Sequence, residues 1–175
     1  HCLMVHKRVK CEKVVHIGDI VDNASMSLKY AADPDMPSPK EEIEKAKRHL
    51  KDWFKAFPSL FLCLGNHDRR PDMKGKHVGL PECVFRPFRD IWELPRGWKD
   101  DFYWVIDGVK YMHGTGLSGN TAHVKAALQN RMSTVIGHVH HTLGGEYLVS
   151  DKDRIFGMNA GCGIDRHQLA FKYGK

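Results

Sequence analysis

Short apolar runs stopped by glycine recur along this chain and set the expectation for its elements. Residues 13–17 are the first. Val14, Val15 and Ile17 are β-branched and Gly18 ends the run, which predicts a short buried strand. Residues 60–64 are continuously apolar and stop at Gly65, predicting a second. Between them, Ser38-Pro39-Lys40-Glu41 marks a helix start. The serine caps, proline suits the first helical position, and Glu41 completes a capping box. Ile43, Ala46, Leu50, Trp53, Phe54 and Phe57 then recur at steps of three and four, so an amphipathic helix is predicted to end before Pro58.

The remainder is richer in strands. Residues 69–100 carry four prolines and many charges and read as a long irregular excursion. Asp107-Gly108 is a strong hairpin signal joining predicted strands 102–106 and 109–112. A glycine-rich loop at 114–120 precedes a predicted helix over 121–130, with Val124, Ala127 and Leu128 facing inward. A short strand over 134–136 stops at Gly137, and strands 146–149 and 154–158 pair as a second hairpin. The order β-α-β followed by a strand-rich half defines an α/β protein with mixed sheets. Neither a repeat nor a linker divides it, so residues 1–175 read as one domain.

Composition narrows the picture. Of 175 residues, 42% are hydrophobic and 27% charged, ordinary globular usage that excludes disordered and low-complexity architectures. Apolar runs of about five residues fall far short of the roughly 20 a bilayer span needs. Cys2–Val9 begins apolar but turns basic at His6, Lys7 and Arg8, without the apolar core and cleavage site of a signal peptide. Five cysteines with no C-x-x-C pair argue against a disulfide framework or a zinc ribbon and for reduced thiols in the cytoplasm. The formal charge is +6, compatible with a phosphate-bearing or nucleic-acid partner.

Twelve histidines are the more informative count, because several stand beside Gly, Asn or Asp at predicted strand ends. In open α/β folds those ends face the ligand crevice. Four segments stand out: Gly18-Asp19-Ile20-Val21-Asp22, Gly65-Asn66-His67-Asp68, Met112-His113-Gly114 and Gly137-His138-Val139-His140. Alone, each is an ordinary turn or loop. Together they supply a carboxylate, an amide oxygen and three imidazoles for coordination, with one further histidine left for proton transfer. Such mixed ligation suits Mn²⁺, Fe, Zn²⁺ or Ni²⁺ better than Mg²⁺ alone.

The order G-D-x-x-D, G-N-H-D, a lone His and G-H-x-H resembles the calcineurin-like metallophosphoesterases, over roughly residues 14–140. The short chain resembles bacterial and bacteriophage members. The resemblance implies two packed mixed β-sheets flanked by helices and two divalent metal ions, Mn²⁺ foremost. It implies hydrolysis of phosphate esters by a metal-activated water, with a phosphodiester in a nucleotide or nucleic acid favoured. Asp19 then matches the carboxylate bridging the metals. Asn66, His113 and His138 match the remaining ligands of one metal, and His140 a ligand of the other. His67 matches the catalytic histidine. Asp68 is expected to orient His67 through its ring N–H, and Asp22 to support the bridging loop.

Arg69 and Arg70 follow directly and read either as donors to substrate phosphate or as solvated loop residues. His123 reads as a phosphate contact at a helix N-terminus, or as an ordinary helix residue. His16 alternates within a strand and reads as a core histidine. Trp92, Trp98, Phe102 and Trp104 read as core more than as a base-stacking platform.

One departure accompanies the resemblance. The family opens with D-x-H upstream of G-D-x-x-D, whereas here no aspartate precedes Gly18. Cys2–Val9 resembles the back half of the helix that follows that first strand. The expectation is a chain truncated at its N-terminus, whose second metal shell keeps only Asp19 and His140. A catalytically weak or inactive scaffold module is the alternative, and the intact His67 argues against it.

Overall fold

The computed structural model describes residues 2–28 and 36–164. Helix α1 (Cys2–Val9) leads into β1 (Val15–His16), a strand shorter than its apolar run. Helix α2 (Pro39–Ala56) starts as its letters require: Ser38 Oγ accepts from the Glu41 N–H at 3.3 Å, and Glu41 Oε2 accepts from the Ser38 N–H at 2.9 Å. Its apolar stripe then lies on β2 (Leu60–Cys63) and β3 (Trp98–Asp101), where Phe57, Leu60, Leu62 and Trp98 form a core cluster packed by Trp53 and Phe54. These three strands make a parallel sheet in the order β1-β2-β3.

The second sheet has β4 (Tyr103–Ile106) and β5 (Val109–Met112) as one hairpin and β7 (Gly144–Val149) and β8 (Arg154–Asn159) as another. Strand β6 (Thr134–Ile136) lies between them, parallel to both β5 and β8. The protein is thus α/β, with one three-stranded parallel sheet and one five-stranded mixed sheet packed with helices. The Trp104 Nε1–H, which donates to the Leu62 carbonyl at 3.0 Å, and the Phe61–Trp104 ring contact tie the two sheets together.

Three expectations are corrected. Residues 69–100 are not one irregular excursion: they hold α3 (Arg70–His77), α4 (Phe88–Ile91) and β3. Trp98-Lys99-Asp100-Asp101 offers little apolar signal because it is an edge strand, where charges are usual. Trp98 anchors it, fully buried, with its Nε1–H donating to the Phe57 carbonyl at 2.7 Å. Leu128 faces outward from α5 (Ala122–Asn130), which buries Ala122, His123, Ala126 and Ala127 instead. That small-residue face lets α5 lie so close to β8 that a Cβ on Gly157 would sit 2.2 Å from the His123 carbonyl oxygen. Phe102, expected in the core, falls between β3 and β4 and is 52% exposed, while Trp92 and Trp98 are buried and Trp104 half-buried.

Candidate metal centre

All four motif segments leave the carboxyl ends of strands, after β1, β2, β5 and β6. The first two meet back to back with no room to spare. A Cβ on Gly65 would lie 2.1 Å from Asp19 Oδ1, and one on Gly18 (φ 92°) 2.7 Å from His113 Nδ1, so only glycine fits at either position. Buried Asp68 laces the two loops together, accepting the backbone N–H groups of Gly65 (2.8 Å), Asp19 (2.9 Å) and Val21 (3.3 Å). Burial pushes its carboxyl up to about 6 against those three donors, and the neighbouring Asp19 adds to the rise. Asp19 Oδ1 in turn accepts the His67 N–H at 2.9 Å.

His113 brings the second sheet to this point. Its Nδ1 lies 2.7 Å from the Ile17 carbonyl oxygen. A carbonyl only accepts, so Nδ1 carries the proton and Nε2 of the neutral ring presents a lone pair. Around Nε2 stand Asp19 Oδ2 at 3.0 Å, Asn66 Oδ1 at 3.0 Å and His138 Nδ1 at 3.1 Å. Four electron-rich atoms converge there, and among the described residues buried Asp19 Oδ2 has no hydrogen-bond partner. Burial disfavours the His113 imidazolium, but Asp19 outweighs it and raises the His113 pKa. Even so, one added proton could serve only one of the three acceptors. Burial would likewise raise Asp19, yet His113 and His67 hold its carboxyl below the usual range.

Asp19, His113 and His138 each place a donor atom within 4.8 Å of the others. One carboxylate oxygen, one amide oxygen and two imidazole nitrogens fit a divalent transition metal. His138 is held in the left-handed region (φ 63°), as is Asp19 (φ 52°), the kind of strain that collects at functional sites. Burial and then His113 lower the His138 pKa. His140 stands outside this group. Its charge is nonetheless coupled to Asp19, His67, His113 and Asp22, and burial lowers its pKa.

The geometry reassigns the partner of His67. Its Nδ1 is 2.7 Å from Asp22 Oδ1, not from Asp68, whose oxygens are committed to the backbone. Asp22 therefore does more than support its loop. Arg70 joins it: Nη1 donates to the Asp22 carbonyl (2.8 Å) and carboxylate (3.1 Å), while Nη2 lies 3.1 Å from His67 Nε2. Arg70 is thus a fixed cation and no solvated loop residue. Nε2 of His67 lies 3.9 Å from Asp19 Oδ2, at the edge of the metal group.

The other candidates divide. Arg69 is exposed and lies over the Phe102 ring. His123 is buried, with its Nε2 3.4 Å from Glu146 Oε1 on β7. It is thus turned toward the edge strand and is not presented to a phosphate at the helix N-terminus. His16 is half-buried, packed and hydrogen-bonded at the edge of the core: its Nδ1 accepts the Gly18 N–H at 3.2 Å, its ring packs edge-on to Trp53, and burial lowers its pKa to about 4. Two supports went unseen in the sequence. Asn23 Nδ2 donates to the His67 carbonyl at 3.0 Å, and the Glu42 carboxylate accepts the N–H groups of Ala24 (2.7 Å) and Ser25 (2.9 Å). Asn23 follows the G-D-x-x-D letters directly, which was a usable cue; Glu42 offered none.

A family model described as Calcineurin-like phosphoesterase matches residues 3–160, and the chain belongs to that family of metal-dependent phosphoesterases. A comparison with curated proteins found no match. Among the described residues no helix is long and apolar enough to cross a membrane.

Proposed function

We propose that this protein is a dinuclear-metal phosphoesterase, Mn²⁺ being the preferred ion and a phosphodiester in a nucleotide or nucleic acid the preferred substrate. Asp19, Asn66, His113 and His138 hold one ion, and Asp19 with His140 contributes to a second. The observation that carries this reading is the convergence of four lone pairs around His113 Nε2, with the His113 tautomer set by the Ile17 carbonyl. Bound divalent cations lower the pKa of water toward neutrality and neutralise phosphoryl charge.

The protein's own groups supply the rest. His67, with its Nδ1–H donating to Asp22 and its Nε2 accepting from Arg70, stands at the edge of the metal group. Once Nε2 takes up a proton in place of the Arg70 contact, it is placed to pass that proton to the departing ester oxygen. Such help is worth roughly 10²–10⁴-fold. Arg70, anchored on Asp22, sets positive charge beside the same nitrogen, where phosphoryl oxygens would lie. The net charge of +6 and the basic 69–99 segment support an anionic nucleotide substrate. Free thiols at Cys2, Cys11, Cys63, Cys83 and Cys162 support a cytoplasmic setting.

The test compares bis(p-nitrophenyl) phosphate with p-nitrophenyl phosphate on protein stripped with EDTA and reloaded with Mn²⁺. The expected result is metal-dependent release from both, faster from the diester. No metal-stimulated release from either would favour the scaffold reading.

A further inference from the structure

His67 has two side-chain partners, and they fix what each ring nitrogen does. Nδ1 lies 2.7 Å from Asp22 Oδ1, a carboxylate oxygen that only accepts, so Nδ1 carries the proton. Nε2 lies 3.1 Å from Arg70 Nη2, a guanidinium nitrogen that only donates. The Nε2 lone pair is therefore spent on Arg70. Yet Nε2 is also the ring atom at the edge of the metal group, 3.9 Å from Asp19 Oδ2. One lone pair cannot serve the arginine and a reacting ester at once.

Which partner gives way follows from how each is held. The His67 backbone is pinned on both sides. Its N–H donates to Asp19 Oδ1 at 2.9 Å, and its carbonyl accepts from Asn23 Nδ2 at 3.0 Å and from the Arg70 N–H at 3.1 Å. Asp22 holds the ring. The Arg70 guanidinium is anchored through its other terminal nitrogen, Nη1, which donates to the Asp22 carbonyl at 2.8 Å and carboxylate at 3.1 Å. Nη2 is thus the end free to change partner while Nη1 stays on Asp22. A phosphoryl oxygen brings negative charge to that bond and suits the planar guanidinium fork, whereas the neutral imidazole brings none.

We propose that Arg70 is a positioning residue that exchanges His67 Nε2 for a phosphoryl oxygen, so that the anionic phosphate itself uncovers the nitrogen facing it. The proposal rests on the phosphoesterase reading for the substrate, and on the Asp22–His67–Arg70 contacts for the exchange. It makes the site selective for charge. A neutral ester offers Arg70 no anionic oxygen and leaves Nε2 covered.

The test reads His67 directly and needs no turnover. Imidazole ¹⁵N spectra are recorded on the full chain loaded with diamagnetic Zn²⁺, with His67→Gln identifying the His67 signals. Inorganic phosphate is the charged probe and trimethyl phosphate the neutral one. Phosphate is expected to move the Nε2 signal and leave Nδ1 nearly in place; trimethyl phosphate is expected to move neither. In Arg70→Ala the Nε2 signal should be displaced before any addition and respond little to phosphate. Calorimetry should show phosphate bound about tenfold more weakly there, the scale of one lost bond between charged groups. Arg70→Lys keeps the charge without the fork, so a misfolded alanine variant leaves the proposal testable; less than half the wild-type change is expected.

No binding of phosphate, an unmoved Nε2 signal at saturation, an equal response to trimethyl phosphate, or a change of wild-type size in either Arg70 variant would overturn the proposal. The two readings fail separately. Metal-dependent hydrolysis with a silent Nε2 signal removes the exchange and leaves the phosphoesterase. A phosphate-driven change that depends on Arg70, without hydrolysis, does the reverse.

Discussion

The two sheets deliver their share of the metal group by different means. On the three-stranded side, the loops after β1 and β2 are fastened by the protein itself. Asp68 takes three backbone N–H groups, Asp19 takes the His67 N–H, Asn23 holds the His67 carbonyl, and Asp22 with Arg70 brackets the His67 ring. On the five-stranded side, His113 has one fastening, to the Ile17 carbonyl, and the Gly137 N–H returns to the His113 carbonyl at 3.1 Å. His138 sits in a left-handed backbone with its ring turned toward the other donors. The first half is organised before any cation arrives. The second presents lone pairs to one another, an arrangement that a bound cation would relieve.

The sharpest way to break this comparison is to remove the charge that both halves share. Asp19→Asn keeps the shape and an oxygen but loses the carboxylate. It is expected to lower Mn²⁺ affinity by more than about 100-fold, beyond the 10–100-fold cost of losing a mere outer partner, and to bring turnover down to background. Calorimetric titration of stripped protein with Mn²⁺ reads the first effect. Wild-type affinity in this variant would mean that the four lone pairs are not the metal site.

Next in size is His67→Ala, which the first half should tolerate. Metal affinity is expected to stay within a few-fold of wild type while turnover drops by roughly 10²–10⁴. Parallel loss of metal and turnover would move His67 among the ligands. Asp22→Asn should echo this more weakly, since the ring keeps a hydrogen-bond partner but loses its counter-charge.

Much of this arrangement was legible in the letters, and the exceptions share causes. The motif segments were readable because each sets a chemistry-bearing residue against a glycine at the end of an apolar run. The α2 start was readable because a capping box is local. What failed was whatever distant contacts decide. Asp68 and Asp22 exchange roles because three backbone donors from two loops close on Asp68, and nothing in Asn-His-Asp announces them. His123 is buried by how near α5 comes to Gly157, and β3 exists because Trp98 finds the Phe57 carbonyl. Phe102 lies between two strands, and alternation could not say which way it points.

Asp68→Ala sharpens the contrast from the side of stability. It orphans three backbone N–H groups, and an unmade buried hydrogen bond costs about 1–3 kcal/mol. Metal-free protein should therefore lose about 3 kcal/mol or more in urea unfolding. His138→Ala should cost metal-free protein less than about 1 kcal/mol and still weaken Mn²⁺ binding strongly. The opposite ranking would place the rigid half on the wrong sheet.

The smallest effect is a pH dependence seated on β1. His16 is held near 4 in the fold, well below its ordinary 6.5, because burial disfavours the charged ring. Between those values the unfolded chain binds a proton that the folded chain refuses, so the stability given by neutral His16 is complete above about 6.5 and drains away as pH falls toward 4. From pH 7 to pH 5 the loss is about 2 kcal/mol, at roughly 1.4 kcal/mol per pH unit. Asp68 acts in the contrary sense. Its carboxyl, raised to about 6, takes up a proton in the fold before the unfolded chain does, returning about 1 kcal/mol over the same interval. The wild-type curve alone would look shallow and mislead. The decisive quantity is the difference between wild type and His16→Gln, both kept in EDTA so that Asp19 carries no ion. That difference should favour wild type at pH 7 and shrink by about 2 kcal/mol at pH 5. A difference that does not change with pH would mean that His16 is solvated and that the ordered half begins after it, at Gly18.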